Sequence, residues 1–270
     1  METDIAWELW GSRDPYYGVL TQPEFRSDAL TAEAKEAFFA SGRHHVAHVL
    51  DVIRRQLVPG FTPERILDFG CGVGRVVLPF AEGAREVVGV DISPSMLAEA
   101  RTNSDAHALR NVALVRSDDT LSAVEGSFDL VHSCIVLQHI EIPRGRQLFS
   151  GLVGKVRPGG CGALHVTFGW DVHGATFGQP PLAAPPAPPS PSSPLSALKR
   201  TIRPLVRPPV PPPPPTEVAL ADPDPEMQMN YYNLSELMFI LHSAGVVRVH
   251  TELTNHGGPI GAFLFFQIPA

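Results

Sequence analysis

The chain of 270 residues is 44% hydrophobic, which is enough apolar material to bury one substantial core, so a single domain with elaborations is expected. A formal net charge of −7 argues against the basic face on which nucleic-acid binding rests. No run approaches the roughly 18 apolar residues of a membrane span, and the opening METDIAWELW is acidic rather than an apolar leader, so a soluble cytoplasmic protein is expected.

Residues 1–60 read as an N-terminal arm and helical cap. The first thirty are rich in Trp, Tyr and Pro with little periodicity, which predicts an irregular arm lying over the domain. Thr31 is a suitable N-cap, and Val46, Val49, Leu50, Ile53 and Leu57 recur at helical spacing up to the stop at Pro59 and Gly60. This helix is expected to pack on the sheet edge and roof a ligand cleft. Strands and helices alternate through 61–177: a strand to Phe69, a helix to about Ala81, a strand to Asp91, and a helix that Ser93 caps and Pro94 opens. Residues 111–116, 127–140 and 152–168 supply the third, fourth and fifth strands. Cys71, Cys134 and Cys161 lie in or beside these strands and read as reduced thiols rather than a disulfide framework.

Residues 178–226 hold most of the 28 prolines, including an unbroken run at 211–215, and cannot form regular helix or sheet. We read them as a flexible or disordered insertion, a lid or spacer over the substrate mouth; the rival reading is a polyproline ligand for a protein partner. Lys199, Arg200, Arg203 and Arg207 form a basic cluster within it, either an ordinary solvated loop or a docking site for an acidic or phosphorylated partner. Residues 227–270 restore order. Asn233 and Glu236 form a capping-box pattern, Leu234, Leu237, Met238 and Leu241 mark a buried helix face, Gly245 ends it, and 246–252 and 262–268 read as two closing strands.

Chemistry is concentrated in ILDFGCGVGR at 66–75 and VVGVDIS at 87–93. The strand ends at the acidic Asp68, and Gly70, Gly72 and Gly74 allow a sharp turn that brings bare backbone to a ligand. Asp91 closes the next strand at the separation expected of a carboxylate that grips ribose hydroxyls. The dinucleotide pattern G-x-G-x-x-G is not met, because Arg75 stands where its third glycine belongs, and Asp68 would repel a diphosphate but suits a cationic amine. An adenosine with an ammonium-bearing tail fits both facts.

With these residues the chain resembles the class I S-adenosylmethionine-dependent methyltransferases, of the bacterial stand-alone small-molecule type. The motifs follow in order: the glycine turn, Asp91, the acidic step Ser117–Asp118–Asp119, SFDLVHSCIVLQHI and LVGKVRPGGCGALHVTF. The resemblance implies an α/β, doubly wound, mostly parallel seven-stranded sheet with an antiparallel last strand, a Rossmann-like methyltransferase fold. It implies S-adenosyl-L-methionine as cofactor, with Asp68, Gly70, Gly72 and Gly74 around the methionine portion. Asp91 would hold the ribose, Ile92 would lie against the adenine, Met96 would be a further cofactor-binding residue, Asp118 would accept from the adenine amine, and Asp119 would offer backbone. Cys134 and His139 would face the methyl end, and Gly42 would admit the cofactor carboxylate with Arg43 or His44 as its partner.

Methyl transfer is an in-line displacement, so holding and drying the reactants matter more than catalytic side chains. A hydroxyl acceptor gains from a base, and His139, after the fourth strand at the carboxyl edge, is the candidate; the alternative is that it orders the cofactor loop. His132 ranks below it as a strand residue, and His173, Tyr231, Tyr232 and His256 are possible substrate walls. Two patterns are set aside. His44, His45 and His48 lack the glutamate and third ligand of a zinc helix, so no metal is expected, and the Asp14–Pro15–Tyr16–Tyr17 string stands far from the fourth strand where a base-amine motif would belong. The expected function is methylation of a small molecule, oxygen favoured over nitrogen. The alternatives are a non-catalytic cofactor-binding regulatory or scaffolding protein, which would use the proline-rich insertion for interaction, and a nicotinamide reductase, against which the missing glycine counts.

Overall fold

Apolar residues alternate along the central strand β1 (Arg65–Phe69), sending Ile66 to one face and Leu67 and Phe69 to the other, so two layers of helix are required to cover it. The structure, a computed structural model, describes residues 2–171 and 223–270. Six further strands complete the sheet: β2 (Glu86–Asp91), β3 (Val112–Arg116), β4 (Phe128–Ser133), β5 (Val156–Trp170), β6 (Val249–Asn255) and β7 (Pro259–Gln267). They lie in the order β3-β2-β1-β4-β5-β7-β6. The pairs from β3 to β5 are parallel, while β7 runs antiparallel to both β5 and β6, so the expected seven-stranded sheet with its antiparallel last strand is present. The order reverses between β1 and β4, and at such a switch point the two connecting segments leave the strand ends in opposite directions and open a crevice.

On one face Ile66, Val87, Leu130, Phe263 and Phe265 pack with Phe38, Val49 and Ile53 of α3 (Ala32–Gln56) and with Leu78 and Phe80 in and beside α4 (Val77–Ala81). On the other, Val88, Val131, Leu164 and Phe266 meet Leu148, Phe149 and Leu152 of α6 (Ile142–Lys155) and Leu237 and Leu241 of α7 (Leu234–Ser243). The anticipated caps form: the Thr31 hydroxyl accepts from Ala34 N, and the Ser93 hydroxyl accepts from Met96 N at the start of α5 (Pro94–Ala106). At α7 the Asn233 side chain accepts from Ser235 N, but the expected reciprocal bond from Glu236 is absent because that carboxylate pairs with Arg146 at 2.8 Å.

The first thirty residues correct the expectation of an irregular arm. They form α1 (Glu2–Arg13), α2 (Pro15–Val19) and a 3-10 turn at Pro23–Phe25. The helix was hidden because its covered side mixes Trp10 with polar groups whose partners are distant in sequence. Glu8 accepts from the Ser93 and Ser95 hydroxyls at 2.7 and 2.6 Å, and Asp4 pairs with Arg144 at 2.6 Å. Tyr16 of α2 bonds Glu99 and Asn103 of α5, and the Asn103 amide in turn donates to Val73 O in the glycine turn. The proline-rich stretch 178–226 lies almost wholly outside the described residues, as do His173 and the basic cluster of Lys199, Arg200, Arg203 and Arg207.

Gly42 in α3 has a structural duty, since a Cβ there would stand 1.9 Å from the carbonyl oxygen of Arg75. Alanine ordinarily favours a helix over glycine by up to about 1 kcal/mol. A backbone clash reverses that sign, so Gly42→Ala is expected to destabilise the protein by about 1–3 kcal/mol, read as a lower urea midpoint at unchanged slope. An equal or higher midpoint would contradict the close approach.

Candidate active site

The turn after β1 is held by the end of β2. Gly70 N and Cys71 N both donate to Val90 O, at 2.7 and 3.0 Å, and Gly72 N donates to Asp91 Oδ2 at 2.8 Å. Gly70 and Gly72 have φ of 75° and 51°, the left-handed region that favours glycine. A Cβ at Gly72 would also strike Val19 of the N-terminal cap at 2.6 Å. The other Asp91 oxygen accepts from Ser93 N at 2.9 Å, so the carboxylate joins the glycine turn to the start of α5. Burial pushes its pKa up to about 6, against the pull of backbone N–H groups from Ser93, Gly72 and Ile92, and the nearby Asp68 adds to the rise.

A cavity of about 490 Å³ opens over these strand ends. Of the residues expected at a cofactor, Asp68, Gly70, Gly72, Asp91, Ile92, Met96, Cys134 and His139 all line it. Four others do not, each for a visible reason. Gly42 meets the Arg75 backbone, and Gly74 faces Leu78 and Ala100, where it lets helices approach. Asp118 turns its carboxylate onto its own loop, accepting from the backbone and hydroxyls of both Thr120 and Ser122, which hold its pKa well below the usual carboxylate range. Asp119 pairs with Arg144 at 2.5 Å, and Ser117 is the member of that acidic step that reaches the cavity wall.

The roof also differs from expectation. No residue of α3 lines the cavity; Thr3, Asp4 and Trp7 of α1 and the segment 18–22 do. Met227, Met229, His256 and Pro259 contribute from the chain that leads to the last strands. Tyr232 is structural, its buried hydroxyl set against Leu137 O and Ile140 O. Of the three histidines near the middle of α3, His45 reaches His132 and His48 pairs with Glu252 at 2.6 Å, so they diverge. Cys134 lines the cavity as an inert thiol whose pKa burial pushes up to about 12.

His139 is fixed at three points. Its Nδ1 lies 2.8 Å from the carbonyl of Gln228, so Nδ1 carries the proton and Nε2 is left with a lone pair. The Gln138 amide, whose oxygen accepts from the Thr167 hydroxyl, offers its nitrogen to that lone pair at 3.3 Å, and Trp7 meets the ring edge-on at 4.9 Å. Burial lowers the imidazole pKa, keeping it neutral at pH 7. Ile135, beside it, is a β-branched residue at φ 59°, a conformation that costs roughly 1–3 kcal/mol and is found chiefly at sites of function.

Two lining residues were undervalued in the sequence. Arg75 registered only as an absent glycine, yet it is 9% exposed, its Nε has no partner, and its nearest bond is Nη1 to Ser41 Oγ at 3.4 Å. Among the described residues no carboxylate stands within ion-pair distance of it. His132 of β4 is fully buried and lies against Asp68.

Residues 66–160 match a family described as a methyltransferase domain. The ribosomal protein L11 methyltransferase of Burkholderia orbicola is 33% identical over 140 residues, 51% of this chain and 43% of that protein. An uncharacterized methyltransferase of Synechocystis is 31% identical over 118 residues, 43% of this chain and 52% of that one. The chain therefore spans about half the length of the curated relatives it matches. Among solved structures, the N-methyltransferase NodS of Bradyrhizobium japonicum with S-adenosyl-l-homocysteine aligns over 100% of both chains at a TM-score of 0.57 and 13% identity. Magnesium protoporphyrin IX methyltransferase of Synechocystis with bound SAM covers 99% of this chain and 97% of that one, at 0.56 and 17%. At these identities the likeness shows the fold.

The raised pKa of Asp91 has a sign that can be checked. Its contribution to stability is fully present below the unfolded value of 3.8 and is lost as pH climbs through about 6. Relative to an Asp91→Asn variant, the ligand-free protein is expected to lose on the order of 1–3 kcal/mol between about pH 4 and pH 7, measured by urea unfolding at each pH. Parallel curves would show that burial does not govern this carboxylate.

Proposed function

We propose that this chain, which has the fold of the class I S-adenosylmethionine-dependent methyltransferases, binds S-adenosylmethionine along the carboxyl edge of β1 and β2. We further propose that it methylates a small molecule, a hydroxyl oxygen being favoured over a nitrogen. The observation that carries this reading is the buried guanidinium of Arg75, with its Nε unsatisfied and no carboxylate partner among the described residues, in a cavity that also holds Asp68 and Asp91. A buried cation without a carboxylate is costly to fold around, and an anionic group on a ligand offsets that cost. Arg75 suits the carboxylate of an amino-acid tail, Asp68 suits its ammonium, and Asp91 suits ribose hydroxyls. A diphosphate would face two carboxylates and lacks the third glycine, so a dinucleotide fits poorly. The cavity volume lies within the roughly 300–1,000 Å³ of small-molecule sites.

When bound, the cofactor supplies an electrophilic methyl on a sulfonium. The protein's own share is positioning, exclusion of water and the handling of one proton. Trp7 and Val19 close the cap over the strand ends, and Met227 and Met229 offer adaptable apolar surface to the acceptor. His139 is neutral with Nε2 unprotonated, the form a general base needs to take a hydroxyl proton as the oxygen attacks. An amine acceptor would need less help of this kind, which is why oxygen is favoured.

Calorimetry is expected to show binding of S-adenosylmethionine and S-adenosylhomocysteine and none of NAD; NAD binding without either nucleoside would overturn the assignment. Arg75→Met should weaken nucleoside binding about tenfold or more while leaving the ligand-free protein at least as stable. With an acceptor found by screening hydroxylated compounds for S-adenosylhomocysteine release, His139→Ala should lower kcat by about a hundredfold to ten-thousandfold at unchanged cofactor affinity. An unaltered kcat would leave His139 a loop-ordering residue.

A further inference from the structure

Asp68 and His132 are direct neighbours in register on the parallel strands β1 and β4, on the face covered by α3. The His132 Nδ1 stands 2.7 Å from Asp68 Oδ1, and because a carboxylate only accepts, Nδ1 carries the proton. Its Nε2 stands 2.9 Å from Nε2 of His45, with one proton shared along that line. Both ring nitrogens of His132 are thus engaged, and Phe80 and Phe263 lie against the ring at centroid distances of 5.4 and 5.9 Å. His132 has one orientation available, and it fixes the carboxylate beside it. Asp68 Oδ2 accepts no hydrogen bond among the described residues, and Asp68 lines the cavity.

We propose that His132, braced by His45, is a positioning residue that turns the free oxygen of Asp68 toward the cavity and keeps it an acceptor for the ammonium group of the ligand's amino-acid tail. The pair thereby makes the site selective for an adenosine that carries that tail over one that lacks it. This rests on the cofactor reading above. Asp68 is 3% exposed, and burying a polar group is costly unless it is hydrogen-bonded. The His132 donor bonds one oxygen and leaves the other open, whereas a hydrocarbon at 132 would take away that donor and leave nothing to fix the rotation of the carboxylate. His45, half-buried on α3, holds the second nitrogen and prevents the ring from turning away; burial and the surrounding His132, Arg75, His48 and His165 lower its own pKa to about 2, so it stays a neutral partner. Asparagine at 132 places an N–H close to where Nδ1 now stands, so it is the conservative replacement.

The test compares S-adenosylhomocysteine with 5′-methylthioadenosine, which keeps the nucleoside and sulfur but lacks the ammonium and carboxylate. In calorimetry, His132→Leu is expected to weaken S-adenosylhomocysteine about tenfold to a hundredfold and methylthioadenosine less than about threefold, with His132→Asn recovering most of the loss. His45→Leu, on the outer side of the pair, should show the same selectivity at several-fold magnitude, and it decides the matter alone should the leucine at 132 fail to fold. Equal weakening of both ligands, no weakening of either, or no recovery by asparagine overturns the positioning role. Failure of both ligands to bind the unaltered protein would instead sink the cofactor reading itself.

Discussion

The site depends on one reversal of the chain, the glycine turn between β1 and α4, and on the one backbone carbonyl and one carboxylate at the end of β2 that hold it. Val90 O receives Gly70 N and Cys71 N, and Asp91 receives Gly72 N, so donors that a tight turn would leave without partners are satisfied by the neighbouring strand. That coupling fixes three things together. It sets where β1 stops and presents Asp68, it commits Asp91 to a half-buried position whose desolvation raises its pKa, and it carries Arg75 into the cavity wall. A side chain at Gly72 would push Val19 away, so the same turn also decides how closely the N-terminal cap can settle.

The cap buries Trp10, Tyr16 and Phe25 in the core, and polar contacts add to that packing. Glu8 sits at the N-terminal end of α5, where acceptors are favoured by the free N–H groups and the helix dipole, and Asp4, Arg144 and Asp119 form a chain of ion pairs from α1 to α6 and the β3–β4 connection. Thr3 adds bonds to His139 O and the Gln228 side chain. Contacts of this kind contribute modestly each, because water competes for the same groups when they part. Apolar burial holds the cap on the domain, and the polar contacts set its orientation over the cavity.

What the sequence disclosed was what is local in sequence. β1 and β2 are short apolar runs ended by an acid, and the caps at Thr31 and Ser93 need only a hydroxyl and the next turn. The helix at the N-terminus was not legible, because periodicity registers apolar partners and α1 places Thr3, Asp4 and Glu8 against partners 85 to 225 residues away. Asp118 carried the right position for an adenine contact, but short side chains two and four residues on captured it, a competition between loop-making and ligand-binding that pattern alone does not resolve. The Asp68–His132–His45 line joins residues 64 and 87 apart, and only the register of β1 against β4 reveals it.

Among the described residues four buried side-chain atoms lack partners: Trp10 Nε1, Ser133 Oγ, His165 Nδ1 and Arg75 Nε. The first three are neutral and lie off the cavity, and each costs about 1–3 kcal/mol that a fold can absorb. Arg75 differs on both counts, since it keeps its charge under all ordinary conditions and it faces the cavity. An apolar side chain of similar length would serve the packing there without that penalty, so packing does not account for the residue. Besides the Asp4–Arg144 pair, the same cavity holds Asp68 and Asp91, neither paired with Arg75, each with its own hydrogen bonds from the protein. Arg75, Asp68 and Asp91, held apart in one cavity rather than allowed to neutralise each other, form a surface complementary to a ligand that itself carries both signs, and this arrangement separates the cleft from an ordinary packing void.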